Sequence, residues 1–299
     1  MELETLSLGY VFWRNGETYM NKEDVIKVVQ DFTINSPGNY ISKDVAMSLD
    51  CIDMKIYEAP ILGFGAVDDE IYQGYKSDDV IGSHFLEPTE WLPSAKTVIS
   101  IFYPYTEKIK RANSLDKTWP ASEWLHGRYE GQQFIVLALE NLVVTITKAG
   151  FETIAPSLDK RYHTGSHKDK DWKKDNDSRF TSNWSERHVA YACGLGTFGL
   201  SKGLITKRGM AGRFGSVVTQ LDLPKDARSY KDVYEYCTMC GACKSRCPVG
   251  AISAPEGKQL ALCSSFLDKV GERNNPRYGC GKCQVGVPCT SEIPAKLNI

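Results

Sequence analysis

CTMCGACKSRCP, at residues 237–248, contains four cysteines at the spacing C-x2-C-x2-C-x3-C and ends in proline. These cysteines are Cys237, Cys240, Cys243 and Cys247. A single Cys263 follows, and the stretch GCGKCQVGVPC at residues 279–289 adds Cys280, Cys283 and Cys289. The first run has the spacing of bacterial iron–sulfur proteins, and eight thiolates are enough for two [4Fe–4S] clusters. The segment therefore predicts a double-cluster domain of the bacterial ferredoxin type.

The same spacing predicts which cysteines share a cluster. In such a run the fourth cysteine binds the neighbouring cluster instead of the one held by the first three. The expected ligands of the first cluster are Cys237, Cys240, Cys243 and Cys289, and those of the second are Cys247, Cys263, Cys280 and Cys283. Two C-x2-C pairs could alternatively bind zinc, although a four-cysteine run ending in Cys-Pro is unusual for zinc. Disulfides are not favoured, because nothing marks the chain as secreted.

Composition limits the partners and the compartment that we expect. The 299 residues carry a net charge of −1, and nucleic-acid-binding domains are usually basic, so the charge balance argues against a nucleic-acid partner. No stretch is long and apolar enough to span a membrane, and the first residues lack the apolar region of a signal peptide. We therefore expect a cytoplasmic protein without a membrane partner, in a compartment reducing enough to keep clusters and thiols intact.

The polar stretch LPKDARSYKDVYEY, at residues 223–236, leads into the cysteine-rich segment. We place a domain boundary near residue 230 on this change of composition. Residues 1–230 are then the larger domain, and residues 231–299 are the double-cluster domain.

Hydrophobic periodicity predicts several elements of the larger domain. The predicted helices are 21–32, 122–148 and 186–193, with a further helix at 260–267 in the cluster domain, and the predicted buried strand is 97–105. Residues 204–223 indicate two strand segments with Gly209 and Gly212 as breakers. GFG at residues 63–65 indicates either close packing or a turn, and a loop is favoured. Dense charge of both signs at residues 159–180 favours a solvated loop, with a lid or partner-docking loop as the alternative.

A few isolated residues invite functional interpretations that the sequence does not favour. Cys51 and Cys193 lie outside the cluster segment and are expected to be small buried hydrophobic residues. His126 is expected to be a structural or surface histidine. GLGTFG, at residues 194–199, matches G-x-G-x-x-G, but it follows a predicted helix where a dinucleotide site requires a strand.

The glycine turn, the later cysteine run and the terminal C-x2-C together resemble the epoxyqueuosine reductase family and, more distantly, the corrinoid reductive dehalogenases. The matching stretches are ERHVAYACGLGTFGL, GSVVT, CTMCGACKSRCPVGAI, LCSSFL and YGCGKCQ. The resemblance implies an α+β fold, with a nitroreductase-like corrinoid-binding domain followed by a ferredoxin-like domain with two [4Fe–4S] clusters. It also implies bound cobalamin and a low-potential electron donor of the ferredoxin or flavodoxin type.

The resemblance also assigns residues to the cobalamin site, where glycines would permit close backbone approach to a flat macrocycle. The residues assigned in this way are Gly194, Gly196, Gly199, Gly215 and Ser216. The chain departs from the family pattern in three places. No acid stands at the position of Phe180, for which Asp177 is a poor substitute. Leu200 occupies the position of a common lysine, and five residues separate Cys283 from Cys289. We therefore expect a divergent member that acts on a different, unknown small-molecule substrate.

Two hypotheses of function follow, and they differ in class. The first is a cobalamin-dependent reductase in which both clusters pass electrons to cobalt and a side chain supplies a proton. Glu186, His188 and Tyr191 are the candidate proton donors. The second is an electron-transfer protein that reduces a partner, which is possibly a corrinoid protein, and has no substrate of its own. A flavin in place of the corrinoid is a third option that no residue decides.

Overall fold

The computed structural model describes residues 12–14, 17–165, 181–254 and 257–295. The helices of these residues are α1 Lys22–Asn35, α2 Ile71–Gly74, α3 Pro88–Trp91, α4 Glu107–Leu115, α5 Ser122–Lys148, α6 Glu186–Ala192, α7 Ala242–Arg246 and α8 Leu260–Asn274. The strands are β1 Phe12–Arg14, β2 Glu17–Tyr19, β3 Ile61–Ala66, β4 Thr97–Pro104, β5 Thr153–Ile154, β6 Gly196–Phe198, β7 Leu204–Thr206, β8 Gly212–Thr219, β9 Ile252–Ser253 and β10 Gly257–Lys258. None of the helices described is long and apolar enough to cross a membrane.

A four-stranded antiparallel sheet with the order β3-β4-β8-β5 forms the centre of the larger part of the chain. Strand β4 pairs along its whole length with β8, from Thr97 opposite Thr219 to Pro104 opposite Gly212. Every residue of β4 is buried, because helices cover both faces of the sheet. This double burial explains why the strand reads as an almost continuous apolar run in the sequence.

Alternate side chains of β4 enter two different cores. Ile99 and Ile101 pack in the core that also contains Phe134 and Leu139 of α5. Val98 packs on the opposite face with Trp184, just before α6. The sheet therefore lies between α1 and α5 on one side and α6 on the other, which brings the start of α6 against β8.

The predicted elements are found with small shifts of their ends. Helix α5 has the predicted bounds, α1 continues to Asn35, α6 ends one residue early, and β4 ends at Pro104. Helix α8 runs to Asn274, seven residues beyond its predicted end at Leu267. Of the charged segment 159–180, residues 159–165 belong to a loop, and the rest lie outside the described residues.

Three predictions about glycine-containing stretches are wrong. Gly63 and Gly65 belong to strand β3, where Cys193 packs against them so closely that a side chain on either glycine would collide with it. Gly212 does not break a strand, because it is the first residue of β8. The stretch 194–199 is only partly a turn, because Gly196 begins strand β6. In each case close packing against a neighbour explains the glycine better than a turn does.

The cysteine-rich segment packs directly against α4 and α5. The Asn113 side chain donates to the carbonyl of Cys280 (3.0 Å), and the buried Lys282 ammonium donates to the Asn113 carbonyl (2.8 Å). Arg277 Nε donates to Glu130 Oε2 (3.1 Å) of α5. The segment that carries the last cysteines is therefore held in place by polar contacts with the larger part of the chain.

Candidate metal centre and adjoining cleft

Four cysteines line one pocket. They are Cys237, Cys240, Cys243 and Cys289. Apolar side chains, including Met210 and Val287, form much of the remaining wall. Burial raises the pKa of Cys289 to about 12, and the nearby Cys237, Cys243 and Cys240 thiols contribute to this rise. These are the cysteines that the spacing predicts for the first cluster.

The remaining four cysteines also influence one another. Burial raises the pKa of Cys263, and its cysteine neighbours are Cys283 and Cys247. Burial raises the pKa of Cys280 to about 12, with further contributions from Cys283 and Cys263. The Ala251 amide donates to Cys247 Sγ (3.2 Å), as amides do to cluster-bound sulfur. This grouping is the one expected for the second cluster.

The two cysteine groups are adjacent, because Cys283 lies close enough to Cys243 to raise its pKa. Among the described residues, no three metal-binding side chains converge as they would on a single metal ion. A four-iron cluster does not need such convergence, because each thiolate binds a different iron atom. Eight thiols in two adjoining groups are thus a suitable donor set for two clusters.

Basic side chains lie between the second cysteine group and the central sheet. Lys258 lies within electrostatic range of Cys283, Cys263 and Arg187. Arg187 lies in turn within range of the same two cysteines and of Arg213 on β8. Sequence reasoning did not single out these basic residues, because they come from separate elements and form no motif. Lys258, Arg187 and Arg213 thus form a series of basic side chains from the second cysteine group to the sheet.

Glu186 is held at the start of α6 by a short chain of hydrogen bonds. Trp184 Nε1 donates to Ser216 Oγ (2.9 Å), and Ser216 Oγ donates to Glu186 Oε2 (2.6 Å). Glu186 Oε1 is buried near the Ser157 hydroxyl but makes no hydrogen bond among the described residues. Burial raises the pKa of Glu186 to about 7, against the lowering effects of Ser216, Ser157 and Arg213. The carboxyl group therefore gains and loses its proton near neutral pH, well above the range of an ordinary glutamate.

The other two candidate proton donors have structural contacts instead. Burial and the adjacent Arg187 lower the pKa of His188 to about 3, so its ring is neutral at physiological pH. The His188 ring lies 2.8 Å from the Ser185 hydroxyl through Nδ1 and packs against Tyr75 and Phe198. Tyr191 packs against the rings of Phe198 and Tyr230. Of the three candidates, Glu186 alone combines a carboxyl group with a pKa near neutrality.

The five residues assigned to cobalamin by resemblance lie in two places. Gly194, Gly196 and Gly199 follow α6, and a side chain at Gly196 would overlap the Ile205 carbonyl of β7. Gly215 packs against Ile135 and Leu139 of α5. Ser216 is fully buried on the opposite face of β8 and bonded to Glu186. Packing within the protein therefore already accounts for Gly196, Gly215 and Ser216, and a role in binding cobalamin stays a prediction.

Unpartnered polar atoms nevertheless surround this part of the sheet. The buried side-chain atoms that lack a hydrogen bond among the described residues include Glu186 Oε1, Ser100 Oγ, Tyr103 Oη and Arg213 Nε. Such groups are costly unless a partner satisfies them. A ligand rich in amide groups, as a corrinoid is, has donors and acceptors suited to them.

Comparisons with known proteins agree with this picture. The 4Fe-4S binding domain family matches residues 230–253. Epoxyqueuosine reductase of Yersinia pestis is 34% identical over 115 residues, which cover 34% of this chain and 27% of that protein. A structure of the catabolic reductive dehalogenase NpRdhA matches with a TM-score of 0.51 and 16% identity, over 79% of this chain and 30% of the other. The chain thus spans less than two thirds of each of these proteins.

These findings confirm the resemblance to the epoxyqueuosine reductases and the α+β fold with a ferredoxin-like segment. The prediction against a nucleic-acid partner does not hold for one of the solved relatives and stays a prediction for this chain. A structure of an epoxyqueuosine reductase with an epoxyqueuosine-modified tRNA stem loop also matches, with 18% identity and a TM-score of 0.47, over 77% of this chain and 61% of the other. Net charge alone does not decide this point, because a local basic region can attract phosphates on a protein that is neutral overall.

Proposed function

We propose that this protein is an iron–sulfur oxidoreductase in which two [4Fe–4S] clusters pass electrons to bound cobalamin, for the reduction of a small-molecule substrate. The observation that carries the proposal is the arrangement of the two cysteine groups. They adjoin each other through Cys243 and Cys283, and Arg187 and Arg213 connect the second group to Glu186, an acid of near-neutral pKa. We call the region between Glu186, Arg187, Arg213 and Arg128 the cleft. An iron–sulfur protein that only carries electrons has no use for such an acid.

The surroundings of the two cysteine groups give electron transfer a direction. Cys240 and Met239 of the first group are exposed, so a ferredoxin or flavodoxin donor can approach this cluster from solvent. The second group is flanked by Lys258 and Arg187, whose positive charges stabilise the reduced, more negative state of the second cluster. With both clusters bound, electrons would therefore enter at the cluster held by Cys240 and move to the one held by Cys263 and Cys283.

Glu186 supplies the proton that accompanies substrate reduction. Its carboxyl group is held by Ser216, and its pKa near 7 lets it both donate a proton and regain one from water at neutral pH. The usual family position of the acid, near Phe180, carries none in this sequence. Glu186, on the first turn of α6, takes over that role.

The residues available to hold the corrinoid are the turn after α6 and strand β8, with the unpartnered polar atoms around them. When bound, cobalamin supplies a cobalt centre of low potential that can deliver electrons to a substrate. The protein's own contribution is to position the substrate, to place the clusters beside the cleft and to provide the proton.

The test is anaerobic reconstitution with iron and sulfide, followed by titration with cobalamin. We expect about eight irons per chain, four for each cluster, and a base-off corrinoid spectrum that saturates at a stoichiometric amount of cobalamin. Intact clusters without any corrinoid binding would refute the enzyme and favour an electron carrier. Stoichiometric zinc in a colourless protein would refute both.

A further inference from the structure

Two arginines that lie near each other, Arg128 and Arg213, form no ion pair with an acid in the part of the chain that the structure describes. Arg128 of α5 and Arg213 of β8 lie within electrostatic range of each other, and burial together with Arg213 lowers the pKa of Arg128 to about 10. Neither forms an ion pair with any described residue, whereas Arg161, Arg228 and Arg277 pair with Asp159, Asp69 and Glu130 respectively. Two uncompensated charges so close together repel each other unless an anion lies between or beside them.

The side chains in direct contact with this arginine pair are neutral, and Arg213 is in addition within electrostatic range of Glu186 and Arg187. Arg213 donates through Nη2 to the side-chain oxygen of Gln132, and its Nε is buried without an acceptor among the described residues. The hydroxyl of Tyr57, a fully buried residue within electrostatic range of both arginines, also lacks a hydrogen bond there. The Arg128 guanidinium lies 4.6 Å from the centre of the Tyr278 ring, which supports it from one side. Of the described residues, several donors and no ion-paired acid thus occupy one end of the cleft.

We propose that Arg128 and Arg213 bind the carboxylate or phosphate group of a small anionic substrate. The proposal rests on the proposed function and names its substrate class. Guanidinium groups suit this purpose because their planar array of N–H donors matches the oxygens of carboxylate and phosphate. The polar, protein-surrounded cleft strengthens such contacts relative to those in water.

The position of the arginine pair also orients the substrate. Arg213 lies within electrostatic range of Glu186 on one side and of Arg187 on the other, and Arg187 leads to Cys263 and Cys283. A small molecule anchored by its anionic group at Arg213 therefore extends its remaining atoms toward the proton donor and the second cluster. Neutral analogues should bind poorly, because they would leave both arginines unpaired.

The test uses the cluster-loaded protein with inorganic phosphate as the probe. The melting temperature is measured while phosphate replaces chloride at constant ionic strength. We expect phosphate to raise the melting temperature of the wild type and to lose this effect in Arg213→Gln and in Arg128→Gln. Arg208→Gln is the matched control, because Arg208 is exposed on the turn between β7 and β8 and the charge change is the same. Arg213→Lys should retain part of the effect, since it keeps the charge and loses the fork of donors.

A shift that is the same in Arg213→Gln, Arg128→Gln and Arg208→Gln, or no shift in the wild type, would overturn the anion site. A second titration with saturating cobalamin identifies the source of the anion. If the phosphate effect persists, the arginines are free to bind substrate. If cobalamin abolishes it, the arginines bind the phosphodiester of the corrinoid, and the substrate assignment is wrong. The two proposals fail separately. Phosphate binding without cobalamin binding refutes only the proposed function, whereas cobalamin binding without phosphate binding refutes only the anion site.

Discussion

Gly281, between Cys280 and Cys283, is the position where one added methyl group should do most damage to the second cluster. Its φ is +64°, and a Cβ at this position would overlap the indole ring of Trp124 on α5. The left-handed conformation costs a non-glycine residue about 1–2 kcal/mol. Forcing a methyl group against a buried ring adds about 1–3 kcal/mol. Gly281→Ala should therefore destabilise the protein by about 2–5 kcal/mol, the sum of the two costs.

Gly241→Ala is the matched control for this change. Gly241 also has a positive φ, +73°, and also lies beside a cysteine, but no atom lies within 4 Å of the point that its Cβ would occupy. It should show only the conformational cost of about 1–2 kcal/mol. The difference of about 1–3 kcal/mol between the two variants therefore isolates the contact with Trp124.

The assay is thermal unfolding of anaerobically prepared protein, together with iron analysis. For a chain of this size, a cost of about 1 kcal/mol lowers the melting temperature by about 2–4 °C. Gly281→Ala should melt well below Gly241→Ala and should lose iron selectively from the second cluster. Equal melting temperatures for the two variants, with equal iron contents, would refute the packing of this segment on α5.

Three further predictions concern the cluster ligands, the buried acid and the buried lysine. Cys247→Ala should lower the iron content from about eight to about four per chain and spare the first cluster. The control Cys51→Ala, outside both cysteine groups, should keep all the iron. If Cys247→Ala loses iron only from the first cluster, the ligand assignment is wrong. Glu186→Gln should be more stable than the wild type at pH 8 and lose this advantage toward pH 5, because the pKa of Glu186 in the folded protein is raised to about 7 and its ionisation at higher pH costs folding free energy. Urea unfolding at both pH values measures the difference in stability between the two proteins, and a difference that does not change with pH contradicts the prediction. Lys282→Met should destabilise the protein by about 1–3 kcal/mol in the same urea assay, because it leaves the Asn113 carbonyl without its donor; an unchanged midpoint would show that this contact contributes nothing.

The sequence predicted the features that depend on spacing and on period. The cysteine run indicated two ligand sets, and the structure brings the same cysteines into two groups. The assignment of each group to a cluster stays a prediction. Strand β4 and helix α5 were predictable because their apolar residues follow the pattern of a doubly buried strand and of an amphipathic helix. Gly63 and Gly65 were misread as a loop, because the close approach of Cys193 that requires them comes from a segment far along the chain.

The chemistry of the cleft was much less predictable, because it depends on contacts between distant residues. Glu186 was one of three candidates in one short helix, and only its burial beside Ser216 separates it from His188 and Tyr191. Arg128 and Arg213 gave no signal at all, since each belongs to a regular element and resembles an ordinary surface charge. Only the packing of α5 against β8 shows that neither arginine forms an ion pair with an acid of the described chain.

The start of α6 gives a physical reason why an acid could move to Glu186 in this chain. Trp184 is fully buried, stacks on Phe85 with ring centres 5.8 Å apart, and holds Ser216 through its indole N–H. This anchor fixes the first turn of the helix against β8. Successive helical residues point about 100° apart, so Glu186 can face the sheet while Arg187 faces the second cysteine group. One helical turn thus places the proposed proton donor and a positive charge side by side, as the proposed reduction requires.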